Sequence, residues 1–291
     1  MTIPTKIGIL LLGVFACSTS VLWIKLTTVD PILLATYRML AAALILSPVF
    51  FRARKRHRDA FGSKELRRCL WPGILLAAHF ITWIIGARLT WAANSSLIVN
   101  VIPVAMPFLL YFAVGERITR GEILGTVIAI GGVVVLALES YQLDSKLLMG
   151  DLICAGSMLL FAIYLMLGRK NRDFANLWLY VVPVYAIGGI VCLLVAIPLA
   201  NFSTEVPAIQ WVYVAGLTIV PTIFGHSLLN WGMKHLRGQL VAIVNLAQFI
   251  FAGTMGAIFL DEIPGGMFVL AAGLVVAGAI TAIKTQPQEK G

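Results

Sequence analysis

The sequence predicts an all-α integral membrane protein with ten transmembrane helices in two inverted five-helix repeats. Three observations carry that expectation. Apolar residues make up 60% of the 291 and charged residues only 12%, where an ordinary soluble domain carries roughly 25% charge. The mean hydropathy is +0.94. Apolar stretches recur along the whole chain at roughly 20 residues each, the length that covers a hydrocarbon core of about 30 Å. The chain also repeats itself: Gly115-Glu116 returns as Asp261-Glu262, and the same offset sets Gly86 against Gly232.

The predicted spans are 7–25, 31–51, 69–90, 94–115, 121–139, 149–168, 176–199, 208–233, 240–260 and 265–283. The first follows Lys6 and ends in small residues, Ala16 to Ser20, as a signal peptide does. Its apolar run is longer than a signal h-region and supplies the first member of the repeat, so it is expected to stay in the mature protein. Pro48 ends the second span; Pro103, Pro107, Pro183 and Pro221 interrupt others and free carbonyls within them. Gly121 and Gly125 in the fifth span have the spacing of helix-to-helix packing. Residues 1–145 and 146–291 form the two repeats, and a five-span unit in tandem must insert its second copy upside down. Repeats of that kind build a midplane site that opens from either side, which points to transport by alternating access.

The net charge of +9 invites a nucleic-acid reading until its distribution is considered. With the N-terminus in the cytoplasm, eighteen Lys and Arg fall on inside segments and only Lys25, Arg88 and Lys146 outside, Arg38 being intramembrane. Short loops with that bias place both termini in the cytoplasm of a bacterial-type inner membrane. The basic run from Arg52 to Arg68 is then a topological anchor facing membrane lipids, with no nucleic acid involved. Trp23, Trp91 and Trp211 near outer ends and Trp71 and Trp178 near inner ends form interfacial belts, while Trp83 lies within a span. Cys17, Cys69, Cys154 and Cys192 form no CxxC pair and read as packing residues, neither disulfides nor metal ligands.

Polar groups inside a bilayer are costly and face the bundle interior. His79 and Trp83 in the third span, Asn100 and Tyr111 in the fourth, Tyr164 in the sixth, Thr222 and His226 in the eighth, and Asn245 and Gln248 in the ninth are the candidate substrate-binding residues. Asn100, Pro103, Pro107 and Tyr111 follow a 3, 4, 4 rhythm that sets them on one helical face. His79 lies one residue from the position equivalent to His226, so both belong near an internal twofold axis. Arg38, Pro103, Pro107, Pro221, Glu116 and Glu262 are the candidate gating residues, with Glu116 at an inner helix end and Glu262 at an outer one. Arg38 holds either a substrate carboxylate or, on the plainer reading, carbonyls at a helix end.

The run Phe15-Ala16-Cys17-Ser18 through Lys25, then Asp30-Pro31 and Tyr37-Arg38, with Pro103, Gly115-Glu116, Thr119, Gly125 and Asp261-Glu262, resembles EamA-type transporters of the drug/metabolite transporter superfamily. The resemblance covers roughly residues 5 to 285. It departs at Phe249, where the first repeat has Pro103, and at Ala16-Cys17, where an aromatic-Gly pair is usual. It implies a ten-helix carrier that exports or exchanges small metabolites, with the substrate between the repeats. The Asn, Thr, His, Tyr and Trp of the cavity suit an amino acid or a related zwitterionic or neutral solute. No cofactor or metal is expected, nor catalysis. The chain is expected as a monomer, or as a homodimer by helix packing. An intramembrane enzyme would cluster nucleophile, base or metal ligands, and a receptor or scaffold would need no paired polar faces with mid-span prolines.

Overall fold

A computed structural model describes residues 1–139, 145–202 and 206–285. The expected repeat boundary abuts residues 140–144, which lie outside the described residues, as does Lys290. The described residues are helical, with no strand. We number the membrane-scale helices α1 (Ile3–Leu26), α2 (Pro31–Arg56), α3 (Ser63–Leu89), α4 (Ala92–Val114), α5 (Arg120–Glu139), α6 (Ser145–Lys170), α7 (Leu177–Leu199), α8 (Ala208–His235), α9 (Gly238–Phe259) and α10 (Gly266–Lys284). All but α5 contain a stretch long and apolar enough to cross a membrane, nine in all among the described residues. Large apolar side chains such as Leu44, Phe112, Ile258 and Val269 point outward. A surface so rich in apolar groups belongs in lipid.

Helix ends follow from local chemistry. Asp30 caps α2, its Oδ1 accepting from the Ile32 and Leu33 amides at 2.8 and 3.3 Å, with Pro31 at the first turn. The α2 helix runs beyond the expected end at 51 through Arg56, and Ser63–Arg68 is a further short turn of helix, so most of the basic anchor is helical. Pro48 does not end its helix, and Pro183 lies within an unbroken α7. The remaining prolines act more locally. The α4 helix breaks at Asn100 and Val101, just ahead of Pro103, where the Val101 amide makes a tight bond to Ile98 O at 3.2 Å. The α9 helix breaks at Leu246 and Ala247, with the equivalent Ala247 to Val244 bond at 3.1 Å. No proline stands there, so the bend survives the loss of the residue type that the first repeat uses. Around Pro221, α8 widens into a π-helical stretch, Thr218–His226.

Glycines set the closest helix pairs. A methyl group on Gly125 of α5 would lie 2.6 Å from the carbonyl oxygen of Gly278 in α10, and one on Gly132 would lie 2.6 Å from that of Ala271. The two contacts are related by one offset of 146 residues: Gly125 corresponds to Ala271 and Gly132 to Gly278. Likewise Gly86 of α3 lies against Cys154 of α6, and Gly225 of α8 against Cys17 of α1. Small residues allow such backbone approach in a membrane, where dispersion and packing replace the hydrophobic drive.

Candidate functional site

Where the broken α4 and α9 cross, a small cavity of about 10 Å³ is lined by Cys17, Ser20, His79, Trp83, Val99, Asn100, Phe161, His226 and Gln248. That volume is about one water. One wall is a stack of rings. His79 lies parallel to Phe161 within 10° at 4.5 Å and to Trp83 within 6° at 6.1 Å, and Tyr164 continues the stack behind Phe161 at 6.1 Å. His226 stands across from His79 at 6.4 Å. The Ser157 hydroxyl donates to His79 O at 2.9 Å, so at 2.8 Å it accepts from Nδ1–H of the same ring. That bond assigns the tautomer and leaves Nε2 of His79 a bare acceptor.

The opposite wall is an amide relay. Gln248 Nε2 donates to Asn245 Oδ1 at 2.5 Å, Asn245 Nδ2 to Asn100 Oδ1 at 2.6 Å, and Asn100 Nδ2 to Ser96 O at 2.8 Å. The middle bond joins the two helix breaks. Ser20 Oγ, Trp83 Nε1 and His226 Nδ1, all from cavity-lining residues, are buried without a partner. The cavity thus combines stacked rings with a few unpaired polar atoms, groups suited to stacking and directed hydrogen bonds.

Arg38 lies behind this cavity. It is fully buried, its Nε donating to Thr222 Oγ1 at 2.9 Å while its guanidinium covers the Phe80 ring at 3.7 Å. The Thr222 hydroxyl in turn donates to Leu217 O at 2.8 Å. The plainer expectation, a hold on helix-end carbonyls, is corrected by these partners, and both Arg38 Nη atoms have none. The cause is depth: Arg38 meets the π-helical stretch of α8 and the middle of α3.

Equivalent carboxylates stand at the opposite ends of α4. Gly115 and Asp261 are the two residues of positive φ among those described, at 67° and 55°. Each ends its helix in a left-handed turn, after which the Glu116 amide bonds Leu110 O at 3.3 Å and the Glu262 amide bonds Gly256 O at 3.2 Å. Glu116 then accepts from the Gly238 amide that starts α9 at 2.9 Å and from Arg169 of α6 at 2.8 Å. Glu262 accepts from the Ala92 amide that starts α4 at 2.6 Å and from Lys25 of α1 at 2.5 Å. Each carboxylate thus ties the end of one broken helix to the start of the other, at opposite ends of α4. The Glu116 end carries a second pair. Arg237 bonds both oxygens of Glu122 at 2.6 and 2.9 Å, a contact that raises the Arg237 pKa above its ordinary value. At the same end Arg68 bonds Asp173 at 2.5 Å and holds its carboxyl below the usual range.

Of the residues singled out from sequence, His79, Trp83, Asn100, His226 and Gln248 line the cavity; Asn245 adjoins it through the relay. Tyr164 lies behind the stack, donor-bonded by Asn230 Nδ2 at 2.5 Å, and Thr222 faces Arg38. Pro103 O accepts from Gln239 at 3.0 Å, and Pro221 O from Cys17. Tyr111 is not among them. It is half exposed on the outer surface against Phe112, and Pro107 is only partly buried. Steps of four residues drift by about 40° each on a 3.6-residue helix, so the face that holds Pro103 has turned away by Tyr111. The partner roles of Lys25, Arg169, Arg237 and Gln239 have no signal in the sequence, and only a structure pairs them. Cys17 lines the cavity as well as packing against Gly225.

Residues 5–138 and 148–283 each match the EamA-like transporter family, so the chain belongs to that family. It is 23% identical over 219 residues to a Bacillus subtilis (strain 168) protein named "Uncharacterized transporter YyaM", covering 71% of each chain. An Archaeoglobus fulgidus "Uncharacterized transporter" is 24% identical over 211 residues, 69% of this chain and 74% of that one. A protein of known crystal structure superposes with a TM-score of 0.76 over 99% of this chain and all of its own, at 19% identity, which establishes a shared fold. The molecule is a multi-pass membrane protein of a transporter family.

Proposed function

We propose that this EamA-like chain is a secondary transporter that moves small metabolites by alternating access between two inverted five-helix repeats, residues 1–145 and 146–291, with ten spans. The observation that carries this reading is the exchange of partners at 146 residues. Glu116 holds the start of α9 and Glu262 the start of α4, each with a cation from the first helix of a repeat. Equivalent closures at opposite ends of one small cavity are what a two-sided gate requires. With both carboxylates engaged and the cavity reduced to about 10 Å³, we read the conformation as occluded.

His79, Trp83, Asn100, His226, Asn245 and Gln248 contact the solute, with Thr222 and Tyr164 behind them. Glu116 and Glu262 gate with Arg169 and Lys25, and Pro103, Pro107 and Pro221 lend bends. The substrate is an amino acid or a related zwitterionic or neutral solute, exported or exchanged across an inner membrane, both termini being cytoplasmic. Counterflow in proteoliposomes across amino acids and amines tests it, because trapped unlabelled solute drives labelled uptake only through a carrier. Equal labelled uptake with and without trapped solute, for every solute tried, would sink the proposal.

A further inference from the structure

We propose that Arg38 is the carboxylate anchor of the transported solute, which makes the substrate class the organic monocarboxylates, amino acids included, and excludes amines that lack a carboxylate. The inference rests on the transport reading and narrows it. Its basis is an imbalance at Arg38. The guanidinium is fully buried and carries five N–H groups. One is used, on Thr222, and the ring of Phe80 takes one face. Both Nη atoms lack a partner, and none of the ion pairs among the described residues includes Arg38.

A cation held so deep is expensive, and a fork of paired N–H groups matches a carboxylate better than any neutral acceptor. The Glu116 end of the molecule shows what this chain does with its other buried arginine: Arg169 holds a glutamate. Of these two buried arginines, Arg38 is the one without an anion of its own among the described residues.

The guanidinium is one layer from the cavity. Cys17 lines the cavity and bonds the carbonyl oxygen of Pro221, the residue before Thr222; His226 lines it and meets the Phe80 ring nearly at right angles at 4.9 Å. Pro221, Thr222 and His226 all belong to the π-helical stretch of α8. Such stretches concentrate at functional hinges, because widening the helix lets a segment shift without unfolding it. Movement of this one stretch carries the wall aside and brings Arg38 into the cavity, where the solute's carboxylate meets the fork and its apolar body meets the His79, Phe161 and Trp83 rings.

The test is thermal unfolding of the purified full chain with matched small probes: benzoate against benzamide, and propionate against propionamide, at equal concentration and ionic strength. Binding only to the folded state raises Tm by mass action. The carboxylates are expected to raise it by about 3 °C at ten times their dissociation constant, for a membrane protein of this size, and the amides to leave it unchanged. Arg38→Gln removes the difference. Arg38→Lys, which keeps the charge and loses the fork, retains a weaker one, and it serves as the check should Arg38→Gln fail to fold. Equal shifts for acid and amide in the wild-type protein, or no shift with either, would overturn the assignment. Counterflow of phenylalanine, phenylpropionate and phenethylamine separates this from the transport reading. Movement of phenethylamine alone overturns the anchor and leaves transport standing, whereas movement of none, with probe shifts intact, removes transport and leaves the anion site.

Discussion

The Glu116 and Glu262 ends of the molecule share one plan but differ in depth. At the Glu116 end the partners Glu116 and Arg169 are 10% and 8% exposed and a second pair, Glu122 with Arg237, stands beside them with Glu122 fully buried. At the Glu262 end Glu262 and Lys25 are 15% and 16% exposed, and among the described residues no second pair accompanies them. A backbone amide and one cation on the same carboxylate recur at both ends, so the mechanical connection is equal while the electrostatic investment is not. The lesson is that an internal duplication conserves how helices are fastened and leaves free how firmly each fastening holds. By this comparison the Glu262 end is expected to open with less loss than the Glu116 end.

The largest effects come from locking either end. A cysteine pair replacing Lys25 and Glu262, or one replacing Arg169 and Glu116, is expected to abolish counterflow when oxidised and to recover with reductant. Uptake that persists through one oxidised lock would break the equivalence of the ends. Next is charge removal. Glu116→Gln leaves Arg169 buried without its anion and is expected to cost about 3 kcal/mol in thermal stability, against about 1 kcal/mol for Glu262→Gln at its wetter end. Equal costs would erase the asymmetry argued here.

The α5–α10 contact tests the symmetry rather than the difference. Gly125→Val and Gly132→Val each drive a side chain into the facing backbone, and each is expected to cost about 2 kcal/mol by overpacking. Unfolding midpoints that differ widely between the two would show that the pair is not related by the internal axis. In the middle, Asn245→Ala strands Asn100 Oδ1 and is expected to cost about 1–2 kcal/mol, with transport lowered from both sides alike. Smallest of all, Tyr111→Leu on the outer surface is expected to change stability by less than about 0.5 kcal/mol and to leave counterflow unchanged.

Much of the cavity was legible in the sequence because burial of a polar group in a membrane is itself a signal. His79, Trp83, Asn100, His226 and Gln248 stand out among apolar neighbours, and the duplicated Glu positions mark helix ends. Tyr111 misled because a repeat of four residues holds a face only over one or two turns, and because the helix breaks at Asn100 before that face is extended. The partners of the carboxylates were invisible for a different reason. Lys25, Arg169 and Arg237 look like any loop cation until tertiary contacts carry them against Glu262, Glu116 and Glu122.

By itself the sequence determined a membrane-embedded helical chain, its approximate spans, its duplication and the polar residues to be kept from lipid. Composition, span length and offset are properties of the chain read one residue at a time, and lipid punishes polar exposure strongly enough to make them decisive. Only the tertiary structure decided that the bend of α9 persists without proline, that Arg38 has Thr222 and Phe80 instead of helix-end carbonyls, and that each closing glutamate reaches across to the opposite repeat. Those outcomes depend on which groups meet across tens to more than a hundred residues of chain, and local pattern carries no record of that distance.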